Sequence, residues 1–316
     1  MTNAIAGVQE FSPALPFSFA QTVSRINGKD ERSMNMFYAL ILAVIISALT
    51  AFPAHSETPR EIGVMTLNLR YDTEKDGVNR FFLRTDRILE TIRAENPDLI
   101  GFQEADDAMR SFMREQLPEY TVLGCGSNER YKGTSNLIAF KKDQFELILF
   151  ETQWLSPTPD TAGSTYGGDQ SKNPRLYQLA RMIDLETNQV IVFINTHTDH
   201  SGKNARLSAS HQLLETIRSN IGDPVILVGD FNAYPNSEEI AYLTSDETLP
   251  FYDVTAGIRY TFHKWSRVNW GKIDYIFSSL SCKESHIVED IPVDGVYISD
   301  HNPLVTTLFL DGNIED

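Results

Sequence analysis

Short apolar runs recur along the chain, most of them closed by a polar residue, and between them lie stretches whose apolar positions follow a helical period. Ile62–Leu67 is one such run and ends at Asn68. Leu99–Phe102 leads into Gln103-Glu104, and Val225–Val228 meets Gly229 before Asp230-Phe231-Asn232. Runs of branched residues without alternation predict strands buried on both faces. Tyr120–Leu123, Ser135–Phe140 and Phe145–Trp154 predict a meander, and Leu179–Asp184 with Val190–Asn195 a hairpin turning near Glu186-Thr187-Asn188. Lys272–Phe277 and Leu304–Leu310 close the series.

Helical spacing predicts three main helices. Arg80–Ala94 places Phe81, Ile88, Leu89 and Ile92 on one face, and Asn96-Pro97 stops it. Ala105–Leu117 carries Met109, Phe112, Met113 and Leu117, and Asn204–Asn220 carries Leu207, Leu213, Leu214 and Ile217. Ser237–Leu243 reads as a shorter helix. Tyr71–Asn79 is a polar loop, and Ser156–Pro174, rich in Pro, Gly, Ser and Thr, is a long one of the sort that is functional or disordered in compact domains. Strands and helices interleave in both halves without an internal linker. The expected class is α/β: one domain from about residue 60 onward, with two sheets face to face and helices outside.

The first residues follow another pattern. Lys29 and Arg32 precede an apolar run, Phe37–Phe52, and small residues follow in Pro53-Ala54-His55-Ser56. The expectation is a leader over 1–56, a cleaved signal peptide with its natural start at Met34 or Met36, or else an uncleaved membrane anchor, for which the run is short. The product would then be exported, periplasmic or secreted, and would touch a membrane only through an uncleaved leader. The domain to be explained is 57–316. Removing 1–56 takes three basic and three acidic residues, so the net charge stays at −16. That charge disfavours non-specific binding to nucleic acid, though a bound divalent cation can invert the sign inside a cleft. A monomer is expected. Cys125 and Cys282 could form one disulfide or remain separate thiols, and no Cys/His cluster suggests zinc.

The polar residues that close the strands form a chemically coherent set: Asn68, Glu104, His197 with Asp199 and His200, Asp230 with Asn232, Asp274, and Asp300 with His301. Each alone has an ordinary explanation as a turn, cap or ion-pair residue. Together, at the ends of buried strands, they could converge on one sheet rim. Carboxylates and amides without thiolates suit a hard cation, Mg2+ or alternatively Mn2+ or Ca2+, whose shell is completed by phosphate oxygens. Histidines beside it can stabilise charge or move protons, so the set suggests metal-assisted hydrolysis of a phosphate ester.

The segments Met65–Arg70, Ile100–Glu104, Ile194–His200, Gly229–Asn232, Gly271–Ile276 and Ser299–Pro303 together resemble the endonuclease/exonuclease/phosphatase superfamily, the DNase I-like fold. Arg70-Tyr71-Asp72 with Asp76-Gly77, and Tyr260–His263, are similar to a bacterial branch of metal-dependent hydrolases. The resemblance implies a four-layer sandwich of two facing mixed β-sheets flanked by helices. It further implies Glu104 as the main Mg2+ ligand, Asn68 beside it and Asp300 as a further metal-side carboxylate. Asp230 would orient or deprotonate the attacking water, and Asn232 would hold that water or the phosphate. His301, oriented by Asp274, would stabilise the pentacovalent phosphate, and His197 would contact the phosphate or protonate the leaving oxygen. Arg70, Arg175, Arg181 and Arg206 are candidate phosphate contacts or ordinary ion-pair residues, and His263 sits in an aromatic stretch suited to a substrate wall or to the core. The expected partner is a phosphate ester. A secreted nuclease and an inactive binding protein are the competing expectations.

Overall fold

The computed structural model describes residues 59–266 and 268–310; the predicted leader over 1–56 lies outside them. In chain order come β1 (Glu61–Asn68), a 3-10 turn (Glu74–Asn79), α1 (Phe81–Glu95), β2 (Leu99–Ala105), α2 (Asp107–Gln116), β3 (Tyr120–Leu123), β4 (Ser135–Lys141) and β5 (Phe145–Trp154). Then follow β6 (Leu176–Asp184), β7 (Val190–His197), α3 (Lys203–Asn220), β8 (Val225–Asp230), α4 (Glu238–Leu243), β9 (Tyr252–Asp253), β10 (Asp274–Ser278), β11 (Ser281–Ile287) and β12 (Leu304–Phe309). The strands form two six-stranded sheets, ordered β11-β12-β1-β2-β4-β3 and β5-β6-β7-β8-β10-β9. Both are mixed: β1 and β2 run parallel, as do β7 and β8, and the other neighbours are antiparallel.

Side-chain alternation turns this pairing into layers. Ile62, Val64, Phe193, Ile226, Val228 and Ile276 meet between the sheets. Met65, Leu67 and Phe102 face outward against Ile88 and Ile92 of α1 and Met109 and Met113 of α2. Val192, Ile194, Leu227 and Phe277 face outward against Leu213 and Ile217 of α3 and Ile240 and Leu243 of α4. The result is helix, sheet, sheet, helix, the expected four-layer sandwich.

Local chemistry accounts for the boundaries. Asn96 takes a left-handed conformation (φ 47°) and its N–H bonds Ile92 O, ending α1 ahead of Pro97. α2 begins at Asp107 rather than at Ala105 because the Asp106 carboxylate accepts from the N–H groups of Ala108 and Met109, both at 2.9 Å. The long loop is ordered against α3: that helix lacks a side-chain cap of its own, and Asp169 supplies one by accepting from Asn204 N (2.8 Å) and Ala205 N (3.1 Å). Cys125 and Cys282 are free thiols. Strand β11 pairs with β12 although its mostly polar sequence did not predict a strand.

Candidate active site

At one rim the inward-facing series turns from apolar to polar. Ile62 and Val64 are followed by Thr66 and Asn68, Ile191 and Phe193 by Asn195 and His197, Ile226 and Val228 by Asp230, and Ile276 is preceded by Asp274. A hydrogen-bonded bridge between the sheets marks the change. Gln103 Nε2 lies 3.0 Å from Thr66 Oγ1 and 2.8 Å from Asn195 Oδ1, and Asn195 Nδ2 donates to Phe102 O and Leu137 O. The bridge is fully buried, so these bonds fix which residues face each other across the sandwich.

Glycines and backbone bends bring the functional groups together. Gly229 of β8 lies so close to β7 that a Cβ there would sit 2.1 Å from Thr196 O. Beyond it, Asn232 adopts φ 47°, and its N–H bonds Asp230 Oδ1 at 2.9 Å. In β2 the pairing with β4 shifts between Phe102 and Ala105, and Glu104 sits in that irregularity at φ 62°. Such a bulge re-aims a side chain beside a site, here into the cleft. Arg70 is likewise left-handed (φ 52°). Conformations that L-residues adopt only under tertiary constraint thus mark three cleft residues.

The cleft encloses about 430 Å³ and is lined by Glu104, His197, Asp230, Asn232, Asp300 and His301 among others. Asn68 and Asp274 stand directly behind this wall. Asn68 Nδ2 donates to Asp230 Oδ2 (2.9 Å), and His301 Nδ1 meets Asp274 Oδ2 at 2.8 Å. His301 Nε2 lies 3.8 Å and His197 Nε2 3.5 Å from Asp230 Oδ2, and Asn232 Nδ2 lies 3.0 Å from His197 Nε2. The eight residues chosen for these roles therefore form one constellation.

Burial separates their charges. It raises the Asp230 pKa, and Asp274 raises it further, to about 7, against the pull of His301, the Asn232 N–H and Asn68. Burial opposes the charge on His301, but Asp274 by charge and hydrogen bond, then Asp230 and Asp300, lift its pKa to about 10, so it is an imidazolium. Burial, then Arg175, His301 and His200, hold His197 well below 6.5. A neutral His197 whose Nε2 accepts from Asn232 fits contact with the phosphate better than protonation of a leaving group. Burial and Glu104 raise the pKa of Asp300.

Two groupings bear on a metal. Asp230, Asp274 and His301 offer ligand atoms within 4.8 Å of one another. In this group His301 Nδ1 is engaged by Asp274 Oδ2 at 2.8 Å. Glu104 and Asp300 supply hard oxygens, and the Arg70 guanidinium is 3.9 Å from each, while its short bond, 2.9 Å, goes to Asp76. Two carboxylates beside one shared, distant cation suit a divalent ion.

The remaining candidates separate. Arg70, Arg175 and His200 line the cleft. Arg181 pairs with Asp223, and Arg206 pairs with Glu239 and bonds Asp199 O, so both are structural. Asp199 accepts from Ser171, Ser201 and Gly202, tying the long loop to the start of α3. His263 is 3 % exposed and packs on Tyr297, a core position. Arg84 was missed. It is fully buried in α1 and donates to the carbonyls of Asn79, Leu69, Arg70 and Ile298, clamping the segments that lead away from Asn68 and into Asp300. Its one sequence signal was a cation between Phe81 and Ile88 on the apolar stripe.

Known proteins share this fold. A structure of an endonuclease/exonuclease/phosphatase from Bacteroides vulgatus superimposes with a TM-score of 0.74 at 30% identity, covering 80% of this chain and all of that one. A family protein from Bacteroides thetaiotaomicron gives 0.73 at 25% identity, covering 81% and 100%. A mannosyl-6-phosphatase from the same species gives 0.70 at 24% over 78% and 99%, a likeness of fold. An uncharacterized protein of Acanthamoeba polyphaga mimivirus is 28% identical over 179 residues, which is 54% of this chain and 66%, just under two thirds, of the viral protein. The model of the Endonuclease/Exonuclease/phosphatase family matches residues 65–301, from the middle of β1 to the cationic histidine. The chain belongs to the endonuclease/exonuclease/phosphatase family of phosphoric ester hydrolases.

Proposed function

We propose that the chain is an exported phosphoesterase that uses a divalent cation, Mg2+ or alternatively Mn2+, to hydrolyse a small phosphomonoester or phosphodiester by attack of an activated water. The observation that carries this reading is the Asp230 carboxylate, buried at the cleft wall between Asn68, His197 and the Asp274-held His301, with its pKa near 7. A base with that pKa takes a proton from water and returns it near neutral pH. Asn68 and the Asn232 N–H hold the two Asp230 oxygens in fixed directions. His301, kept cationic by Asp274, places a positive donor where charge grows on the phosphoryl oxygens. His197 and Asn232 complete the polar wall.

Asn68, Glu104 and Asp300 would hold the cation, which when bound neutralises phosphate oxygens and acidifies water. Export rests on the leader pattern over 1–56, and the same reading makes the protein a monomer whose partner is its substrate. A secreted nuclease is the second reading; the net charge of −16 counts against it. An inactive binding protein would be expected to lack part of the constellation, and all eight residues are present.

The test is hydrolysis of p-nitrophenyl phosphate and bis-p-nitrophenyl phosphate with Mg2+ and with EDTA, beside plasmid DNA and sphingomyelin. EDTA-sensitive turnover of a small ester that disappears in Asp230→Asn, while the variant keeps its circular dichroism spectrum, is expected. Efficient DNA nicking would favour the nuclease, and turnover insensitive to EDTA would remove the metal from the mechanism.

A further inference from the structure

The cleft continues past Asp230 and His301 along a second wall, formed by the start of β4, the turn before it and the end of the long loop. No step of the water attack uses this wall. Its polar lining is Ser127, Thr134, Ser135, Asn136, Asn173 and Arg175: five neutral hydroxyls and amides and one cation.

Several of these groups have bonding capacity the protein does not use. Ser135 is 7 % exposed, and its Oγ, shielded from solvent, has no hydrogen-bond partner among the described residues. Arg175 Nε is equally shielded and unpartnered, although its Nη2 lies 3.3 Å from His200 Nδ1. Asn136 is 2 % exposed; its Nδ2 donates to Leu176 O at 3.0 Å, which leaves Oδ1 to accept from a ligand. A buried hydroxyl or guanidinium N–H without a partner costs about 1–3 kcal/mol, so such groups are expected to meet a ligand or ordered water.

We propose that this wall is a polyol subsite, and that the substrate is the phosphate ester of a monosaccharide or a similarly hydroxylated small alcohol. The inference rests on the phosphoesterase reading and adds the class of leaving group. Hydroxyls, an amide oxygen and a guanidinium N–H offer both donors and acceptors, as the hydroxyls of a polyol require. An acyl chain would press hydrocarbon against Ser135 Oγ and Arg175 Nε and leave both unpaired. A nucleic-acid strand requires a continuous basic track, whereas this cleft sets Glu104, Asp230 and Asp300 against Arg175, the cationic His301, which is held by Asp274, and Arg70, which is already bound to Asp76. A volume of about 430 Å³ falls in the range of small-molecule sites.

The test separates this inference from its parent. Titration calorimetry on the folded Asp230→Asn chain compares glucose 6-phosphate with inorganic phosphate, both with Mg2+, so the readout is binding without turnover. The sugar ester is expected to bind at least tenfold more tightly, and adding Ser135→Ala should remove most of that advantage while leaving phosphate affinity within twofold. In the otherwise unaltered chain, Ser135→Ala should lower the ratio of kcat/KM for glucose 6-phosphate to that for p-nitrophenyl phosphate about tenfold, mainly through KM. Equal affinity for the two ligands, no binding of either, or an advantage untouched by Ser135→Ala would overturn the polyol subsite. Loss of EDTA-sensitive p-nitrophenyl phosphate hydrolysis would instead overturn the parent reading and would leave the calorimetric comparison to stand or fall alone.

Discussion

Replacing Arg84 by Met tests whether the loops of the site are held by one buried cation. The guanidinium donates to Asn79 O and Leu69 O, each at 2.6 Å, to Arg70 O at 3.0 Å, and to Ile298 O, and among the described residues no carboxylate bonds it. Burial draws its pKa down to about 10, so it stays charged at neutral pH. Hydrogen bonds from a charged donor contribute about 1.5–3 kcal/mol each but are not additive, and removing a buried cation also removes its desolvation cost. Methionine matches the stem and leaves four carbonyls unpaired. The net expectation is a loss of about 3–5 kcal/mol, read as a lower urea midpoint with an unchanged slope. Leu69 and Arg70 follow Asn68, and Ile298 precedes Asp300, so kcat should also fall at least tenfold under conditions where the variant is folded. Arg84→Lys should recover only part of either quantity, since an ammonium cannot span all four carbonyls. A Met variant within about 1 kcal/mol of the parent, with unchanged kcat, would refute the clamp.

Three further expectations follow from the geometry. Asp274→Asn removes the carboxylate that keeps His301 cationic and should lower kcat by about 10²–10³ with little effect on the thermal midpoint; a loss below fivefold would count against His301 as a charge-stabilising donor. Gly101→Ala should cost about 1–3 kcal/mol, because its Cβ would lie 2.4 Å from Val228 Cγ2 and 2.8 Å from Asn195 Oδ1, forcing the sheets apart where the polar bridge joins them; an unchanged urea midpoint would show that the bridge yields freely. Burial, aided by the charge of His301, depresses His263 to about 4, against about 6.5 in the unfolded chain. Its contribution is therefore complete above pH 6.5 and is lost as pH falls toward 4, by about 2 kcal/mol; the difference in stability between the parent and His263→Phe should narrow by that amount across this window, and a constant difference would contradict it.

Much of the fold was legible because burial on both faces leaves a dense apolar signature, as in Val225–Val228 and Ile62–Leu67. What escaped was encoded at longer range. Strand β11 is an edge strand of mostly polar residues, paired only because β12 lies beside it. The start of α2 moved by the capping of Asp106, a side-chain event that periodicity does not register. At the site, the charged and amide residues that close the strands were readable as a set, since their chemistry is rare in that position. Arg84, Ser135 and Asn136 were not, because a cation on an apolar stripe and a hydroxyl and an amide at a strand start have ordinary local explanations. Their roles depend on carbonyls and cleft walls that come together only in the folded sandwich. Arg175 and Arg181 lie close in sequence and looked equivalent, yet one lines the cleft and the other is consumed by Asp223.

Strand β12 lies between β1 and β11, and Leu310 N reaches back to Arg60 O. The first strand of the domain thus waits for the domain's last strand before its open edge is covered. A ribosome-bound chain that stops short of residue 304 carries Asn68, Glu104, Asp230 and Asp274 but neither that covering strand nor the packing that seats Asp300 and His301. Hydrolytic competence should therefore arise in one step once β12 has been synthesised, and any truncation that removes β12 should leave β1 a sticky template for aggregation rather than a weakened enzyme.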